Sequence, residues 1–456
     1  PQGALDAALL EFLALDAADF ETVWQSAWQN RLENAQAALD ALLSARSLAL
    51  SSGNEQALLG TIDRSVPNLE VEELHWLEDY HANPPQQYQL TGRPLAFLEG
   101  GSLLAEMTLE YQPDEGDSTT TSFTSLLTPS ERGYYWAGPL LELLQGERVD
   151  ILYPNSQADL AVILLAQAEQ IAARLGATLD ISLDERLIIK LYAAPASYQA
   201  SIAGSLPQTN VENAWTSPGE SIKLNIIVGG GAEDYTGLLA YQLSRSLLYQ
   251  SGLEAGWLVE GVSATLSRSY ELASSSRPSG LQIAELFAAV NHGQTPALND
   301  ILPSLQLPGE RLALDRGLAR DAVDFMVTEY GWPALLEILD AQQRGISLNN
   351  AFRSSLGITV EQFEADWRSS LLQQHMNPEW VEVAQAFNPE LAMESVNTLA
   401  SPALEGRQAG SPGSAAAAQT IAEQFGSYGL LPVGDGLTTT DGFIDLSQLL
   451  AVTSPV

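Results

Sequence analysis

The sequence predicts a multidomain α+β protein, and three observations carry that expectation. The chain has 456 residues, a length that corresponds to about two to four domains, and 45% of it is hydrophobic, enough for several cores. Residues 88–147 alternate apolar and polar side chains between turn signals, which is the period of half-buried antiparallel strands. From residue 148 the pattern changes to strand, helix, strand, and residues 281–372 are mostly helical in periodicity.

Residues 5–49 read as two helices. In "ALLEFLALDAADFETVWQSAWQNRL", Leu9, Leu13, Phe20, Trp24 and Trp28 form a stripe around a break, and Asp16 or Asp19 can cap its second part. "ENAQAALDALLSARSLALSSG" is rich in strong helix formers and ends at Gly53. The segments "YQLTGRPLAFLEG", "SLLAEMTLEYQP", "STTTSFTSLLTP" and "YYWAGPLLELLQG" read as one antiparallel sheet. "QPDEGDS", at 112–118, is a hairpin loop whose acids suit a solvated turn or, alternatively, a calcium site. "RVDILYP" is a strand, "SQADLAVILLAQAEQIAARLG" a helix closed by Gly176, and "RLIIKLYAAP" and "SIKLNIIVGGG" are strands. Two helices follow over 237–267. The last 80 or so residues hold one clear helix, from about Ser414 to Tyr428, and make a poor independent core.

Composition excludes several function classes. The charge is 20 − 57 = −37, and Lys190 and Lys223 are the only lysines, so the surface repels phosphates and nucleic acid is not an expected partner. Such a surface suits a salty or exposed medium. The absence of cysteine rules out disulfides, thiolate zinc sites and a cysteine nucleophile. The longest apolar run, 159–168, falls short of the roughly 20 residues that span a bilayer, so no membrane-spanning segment is expected. No signal peptide is visible, and the abrupt start at "PQGALDAALL" reads as a processed or truncated end.

One repeat is visible. "ALLEFLALDAADFETVWQSAWQ" from Ala8 and "AFRSSLGITVEQFEADWRSSLL" from Ala351 place Leu13, Phe20 and Trp24 in step with Leu356, Phe363 and Trp367. Residues 1–30 therefore read as the tail of an earlier copy of the domain that ends near 375.

The chemistry centres on "GLLAYQLSRSLLYQSGLEAGWLVEGVSATLS", residues 237–267. A zinc peptidase helix carries His-Glu-x-x-His, because residues i and i+4 share a face and the Glu between them polarises water. Here those positions are Tyr241, Gln242 and Arg245. Tyrosine is a poor zinc ligand, glutamine accepts no proton, and arginine has no lone pair to give. Glu260, on the next helix, keeps ligand chemistry. A buried glutamate without metal needs a cation, so Arg245 is expected to pair with Glu260. The histidines, His75, His81, His292 and His375, include no pair at ligand spacing. "VGGGAEDY" has the strand–glycine–helix layout of a phosphate loop but lacks Gly-Lys-Ser/Thr, and Glu233 and Asp234 oppose phosphate. "GVSAT", at 261–265, has Thr265 where a nucleophile elbow needs glycine.

The stretch resembles the peptidase-MA-like gluzincin family, on Trp257, Leu258, Glu260, Gly261 and Ala264 of the second helix and on the order of elements over 148–375. The resemblance implies a gluzincin-like mixed sheet with a mainly helical C-terminal lobe, and a vestigial site of Tyr241, Gln242, Arg245 and Glu260 with no catalytic residue and no metal. Residues 397–436 resemble the lead-in of co-catalytic two-zinc aminopeptidases, the aminopeptidase Y and glutamate carboxypeptidase type. The matching positions include Leu399, Ser401, Leu404, Gly406, Arg407, Gly410, Gly413, Ile421, Phe425, Gly429, Leu430, Pro432 and Gly434. That family's zinc ligands lie further downstream, so no cofactor is expected in this chain. Residues 31–147 are similar, more faintly, to nuclear-transport-factor-2-like domains, which implies a cone-like antiparallel sheet with helices.

These readings divide the chain into four parts. Residues 1–30 are the helical tail of a preceding gluzincin-like repeat and 31–147 a nuclear-transport-factor-2-like domain. Residues 148–375 are an inactive gluzincin-like domain and 376–456 the incomplete start of an aminopeptidase domain. The expected function is that of a non-catalytic upstream region of a secreted or surface bacterial peptidase-family protein, which positions or presents peptides for a zinc aminopeptidase. The alternative is a structural subunit of a filament or surface layer, joined head to tail to copies of itself through its terminal segments. Both place the protein outside the cell or on its surface. A third reading is a working peptidase with another site.

Overall fold

The opening helix is longer and less interrupted than its sequence pattern implies. In the computed structural model, which describes residues 17–114, 117–182, 185–202, 213–226, 231–253, 256–270, 289–290, 293, 295–301, 309–375, 389–407 and 411–427, helix α1 runs unbroken over Ala17–Ser52. The two helices expected there are one, because nothing between Arg31 and Asn34 is a helix breaker. Leu9, Leu13 and Asp16 lie outside the described residues. α1 buries Ala35, Leu39, Leu42, Leu43 and Leu50, an i, i+4 stripe, and stops at Gly53 with φ +65°, a left-handed conformation that favours glycine. Short α2 (Glu55–Leu59), capped by the Asn54 side chain, and α3 (Leu69–Ala82) complete the helical cover.

The first sheet is an antiparallel meander of β1 (Gln87–Phe97), β2 (Leu103–Gln112), β3 (Thr119–Ser130) and β4 (Gly133–Gly138). Leu103, Ala105 and Met107 alternate inward along β2 and meet Leu39 and Leu42 of α1 in one core. Residues 112–118 bridge β2 and β3 as the expected hairpin; Glu115 and Gly116 lie outside the described residues. "YYWAGPLLELLQG" does not stay in this sheet. Its first part is β4, the chain leaves at Pro139, which has no N–H for a ladder, and β5 (Glu142–Gln145) joins a second sheet.

That second sheet is mixed, in the order β5-β6-β7-β9-β8, with β6 (Val149–Tyr153), β7 (Leu187–Tyr192), β8 (Ala214–Trp215) and β9 (Ile222–Asn225). The β6, β7 and β9 pairings are parallel, and β5 and β8 are antiparallel edges. One face carries Val149, Ile151, Ile189, Leu191, Ile222 and Leu224 against α4 (Ala158–Leu179) and α6 (Thr236–Gln250). Gly176 lies inside α4 rather than closing it. The helix ends at Asp180, in the left-handed region at φ 55°, while the Gly176 carbonyl accepts from the Ile181 N–H at 2.9 Å. By length and composition residues 155–179 would also suit a membrane span, which the short run at 159–168 hides; in this fold Ala161, Leu164, Ala168 and Ile171 are buried over the sheet.

Short α5 (Pro195–Ser201) follows β7. A helical lobe then forms from α7 (Gly256–Ser267), α8 (Gly309–Tyr330), α9 (Trp332–Gln343), α10 (Leu348–Ser355) and α11 (Val360–His375) around Trp257, Phe352, Phe363 and Trp367. Residues 1–372 form one compact unit. The second unit, 373–456, has α12 (Pro389–Leu399) and α13 (Pro412–Ser427) among its described residues. Gly413 is sterically required there, since a side chain would collide with the Leu404 carbonyl. Gly410, Gly429, Leu430, Pro432 and Gly434 lie outside the described residues.

The two sheets of the first unit meet through charges. α3 sends Glu72 to Lys190 at 2.8 and 2.9 Å, and His75 Nδ1 to Glu220 at 2.8 Å. The hydrogen bond to Glu220 raises the His75 pKa above its ordinary 6.5, with burial opposing, Glu78 adding and Lys223 subtracting. Burial pushes the Glu220 carboxyl up, but Lys223 and His75 outweigh it and hold it below 4.5. A raised histidine contributes fully below its unfolded pKa and loses its contribution as pH rises through the folded value. A depressed carboxyl contributes above its unfolded pKa and loses it as pH falls through the folded one. The pair therefore stabilises most between about pH 4.5 and 6.5. His75→Ala is expected to flatten the decline in denaturation midpoint between acid and alkaline pH, by under about 1 kcal/mol because His75 is partly exposed.

Candidate functional site

Helix α6 leaves the second sheet with Leu239, Leu243 and Leu247 turned to the core, and this phasing fixes the rest of the helix. Tyr241 and Arg245, one turn apart, share a face and point to α7. Glu260 on α7 meets them. Arg245 Nε stands 3.2 Å from Glu260 Oε1, with the two side chains 0% and 1% exposed. The N–H is off the line to the oxygen, so this contact is an ion pair rather than a directed hydrogen bond. Tyr241 donates its hydroxyl to Glu260 Oε2. Arg316, from α8, donates Nε to the same oxygen at 3.2 Å.

Aromatic rings complete the enclosure. The Arg245 guanidinium lies 4.6 Å from the Trp215 ring centroid and 5.7 Å from that of Tyr249, whose hydroxyl accepts from Nη2 at 3.0 Å. Arg316 lies 5.3 Å from the Tyr241 ring. Burial drives the Tyr241 pKa well above its ordinary value; Arg316 opposes and the Glu260 charge adds, so Tyr241 is a neutral donor. Burial pulls Arg245 down, but the charge of Glu260 outweighs it, and Arg245 stays a cation.

Tyr241, Arg245 and Glu260 thus come together, and Gln242 does not join them. Gln242 donates Nε2 to the Ala214 carbonyl at 3.0 Å and ties α6 to the edge strand β8. Arg316, Trp215 and Tyr249 complete the site, and no motif in the sequence marks them. No local pattern marks Arg316, which follows Asp315 on α8 and lies far from Glu260 in sequence.

The neighbours of Glu260 have packing roles of their own. Trp257 stacks on Phe363 at 6.1 Å and meets Phe352 edge-on at 6.2 Å, in the core of the helical lobe. Gly261 lets α8 lie directly against α7, since a Cβ would collide with the Ala319 carbonyl and with Val323. Arg316 is one turn before Ala319 on α8, so the glycine sets the distance over which that arginine reaches Glu260. Gly261→Ala is expected to push the helices apart and destabilise the unit by about 1–3 kcal/mol, read as a lower denaturation midpoint.

Chemically, the site holds a carboxylate between two guanidinium groups and a phenol: Oε2 accepts from Tyr241 and Arg316, and Oε1 faces the Arg245 charge. Among the described residues, no three His, Asp or Glu side chains lie close enough to share a metal ion. His75 and His81 are engaged by Glu220 and the Leu50 carbonyl. His292 and the side chain of His375 lie outside the described residues.

No protein-family model and no curated protein matches the chain. Among solved structures, it is similar to an M1 zinc metallopeptidase from Deinococcus radiodurans, at 14% identity and a TM-score of 0.33. The match covers 62% of this chain and 65% of that one, less than two thirds of the peptidase. A score that low does not equate the two folds.

Proposed function

We propose that this chain is a peptidase-derived module without hydrolytic activity, which positions or presents peptides for a zinc aminopeptidase domain. The observation that carries the reading is Glu260. It sits on the helix and in the "WLVEG" context of a metal-ligating glutamate, yet its carboxylate faces Arg245, Arg316 and Tyr241. A cation bound there would meet two positive groups within ion-pair range of the ligand. Gln242, at the position of the general base, is spent on a backbone carbonyl. The lead-in over 397–436 supports the link to an aminopeptidase, and the net charge of −37 suits work outside the cell or at its surface. The test is to incubate the chain with a mixed peptide pool, with and without a chelator, and to measure bound zinc by mass spectrometry. The expected result is no chelator-sensitive cleavage and no retained zinc. Chelator-sensitive cleavage would overturn the reading.

The structural-subunit reading has one observation in its favour. Trp24, Trp28 and Leu32, spaced by four on one face of α1, are 54%, 43% and 40% exposed. In the matching helix α11, Phe363 and Trp367 are buried at 0% and 1%. A face that reads as core in one copy and is half-exposed in the other, where Trp28 meets Phe97 edge-on at 5.4 Å, would suit head-to-tail assembly. Sedimentation velocity discriminates: concentration-dependent polymers, lost in Trp24→Ser/Trp28→Ser, favour the filament, and a monomer favours the presenting module.

A further inference from the structure

The two sheets of the first unit do not close on each other. Between the inner face of the first sheet and the face of the second that carries Lys190 and Tyr192 lies a cavity of about 370 Å³. Native interiors leave few voids larger than a water molecule, whereas small-molecule sites span roughly 300–1,000 Å³. The walls are mostly apolar and aromatic, with Phe123, Trp136, Trp76, Leu90 and Leu152 prominent. Ser65, Val66 and Pro67 and also Pro139, Leu141 and Leu143 line it, and Ser65, Thr124 and Leu143 are exposed.

The charged groups in the wall are already neutralised. Arg46 pairs with Glu73 at 2.7 Å and stacks over Trp136 at 4.6 Å, and Lys190 pairs with Glu72 at 2.8 Å. A ligand bringing a further charge would find no free counter-charge and would lose its hydration. Polar groups in the lining outside the two ion pairs include Ser65, Thr124, Ser197 and Tyr88. Tyr88, which lines the cavity with Arg46 and Glu73, is half-buried, and burial pushes its hydroxyl pKa up, so it is a neutral donor. A neutral hydroxyl at the wall can donate to an oxygen of a ligand.

We infer that this cavity binds a small, uncharged, predominantly apolar molecule with one oxygen that hydrogen-bonds Tyr88. Binding leaves both ion pairs intact and fills space that the side chains do not. The site is independent of Glu260 and of any peptidase relation.

The test uses the full chain and the neutral, environment-sensitive dye Nile red. A saturable rise in emission at one site per chain is expected, reversed by 1-decanol about tenfold more effectively than by decanoate, since the carboxylate must be buried unpaired. Leu152→Trp and Leu90→Trp, placed on opposite walls, should each fill the cavity and abolish dye binding while the far-ultraviolet circular dichroism stays native. Two variants are used so that misfolding of one leaves the other decisive. Tyr88→Phe should weaken displacement by 1-decanol about three- to tenfold. Dye binding that survives in a folded filling variant places it elsewhere and overturns the proposal. Equal displacement by decanoate and 1-decanol overturns the assignment of an uncharged ligand, and an unchanged Tyr88→Phe overturns the role of the hydroxyl.

Discussion

Glu260→Gln is expected to destabilise the first unit by about 3–5 kcal/mol, seen as a large fall in the denaturant midpoint followed by tryptophan fluorescence. The substitution keeps the shape of the side chain and removes its charge. Arg245 is 0% exposed and its nearest other charge, apart from Glu260, is Arg316, so it would be left as a buried cation facing a second one. Cation–π contact with Trp215 offsets part of this, worth about 0.5–2 kcal/mol, and does not replace a counter-ion. Arg316→Ala should cost much less, about 1–2 kcal/mol, because Arg316 is 20% exposed and Glu260 keeps Arg245 and Tyr241. The order of the two effects is the informative result. An Arg316 variant as damaging as Glu260→Gln would mean that α8, not α6, supplies the main counter-ion. The double variant Arg245→Met/Glu260→Leu should recover most of the lost stability, since an apolar pair of similar volume avoids burying charge at all.

Parts of this architecture were legible because local rules and tertiary packing agree. Alternation in "SLLAEMTLEYQP" gives β2 with Leu103, Ala105 and Met107 inward, and the two helices over 237–267 lie where their stripes place them. The Arg245–Glu260 contact was legible because a buried acid without a metal leaves few electrostatic alternatives. What was not legible depends on the third dimension. No local signal says that "YYWAGPLLELLQG" divides between two sheets; only the finished edge of the second sheet makes a place for β5. Arg316 is remote in sequence from Glu260, and although Gly261 stands out in the motif, nothing local says that it admits α8 so closely. The cavity was equally hidden, since each of its walls reads as an ordinary half-buried strand or helix.

The second large effect is expected at the seam between the sheets. The only lysines in the chain, Lys190 and Lys223, lie directly opposite each other on the parallel strands β7 and β9, and are 3% and 1% exposed. Two buried ammonium groups on neighbouring strands repel, so each needs its own acid. Glu72 reaches Lys190 from α3, and Glu220 reaches Lys223 at 3.0 Å; Lys223 also donates to the Ser201 carbonyl at 2.7 Å. Burial pulls the Lys223 pKa down, but Glu220 and Glu72 outweigh it and hold it above its ordinary value. The arrangement ties α3, from the first layer, to the second sheet, so the seam is a charge lock rather than an apolar core. Glu72→Gln should cost about 3–5 kcal/mol, because it leaves Lys190 buried with Lys223 as its neighbour. Lysine chemistry reads the same lock without unfolding the protein. In the native chain an amine-acylating reagent should label neither lysine, as found by peptide mass spectrometry. In Glu72→Gln, Lys190 should become reactive as α3 lifts from the sheet, and Lys223, still held by Glu220, should follow more slowly. Equal labelling of both lysines in the native chain would show that the seam opens freely, and the two sheets would then have to be held together by other contacts.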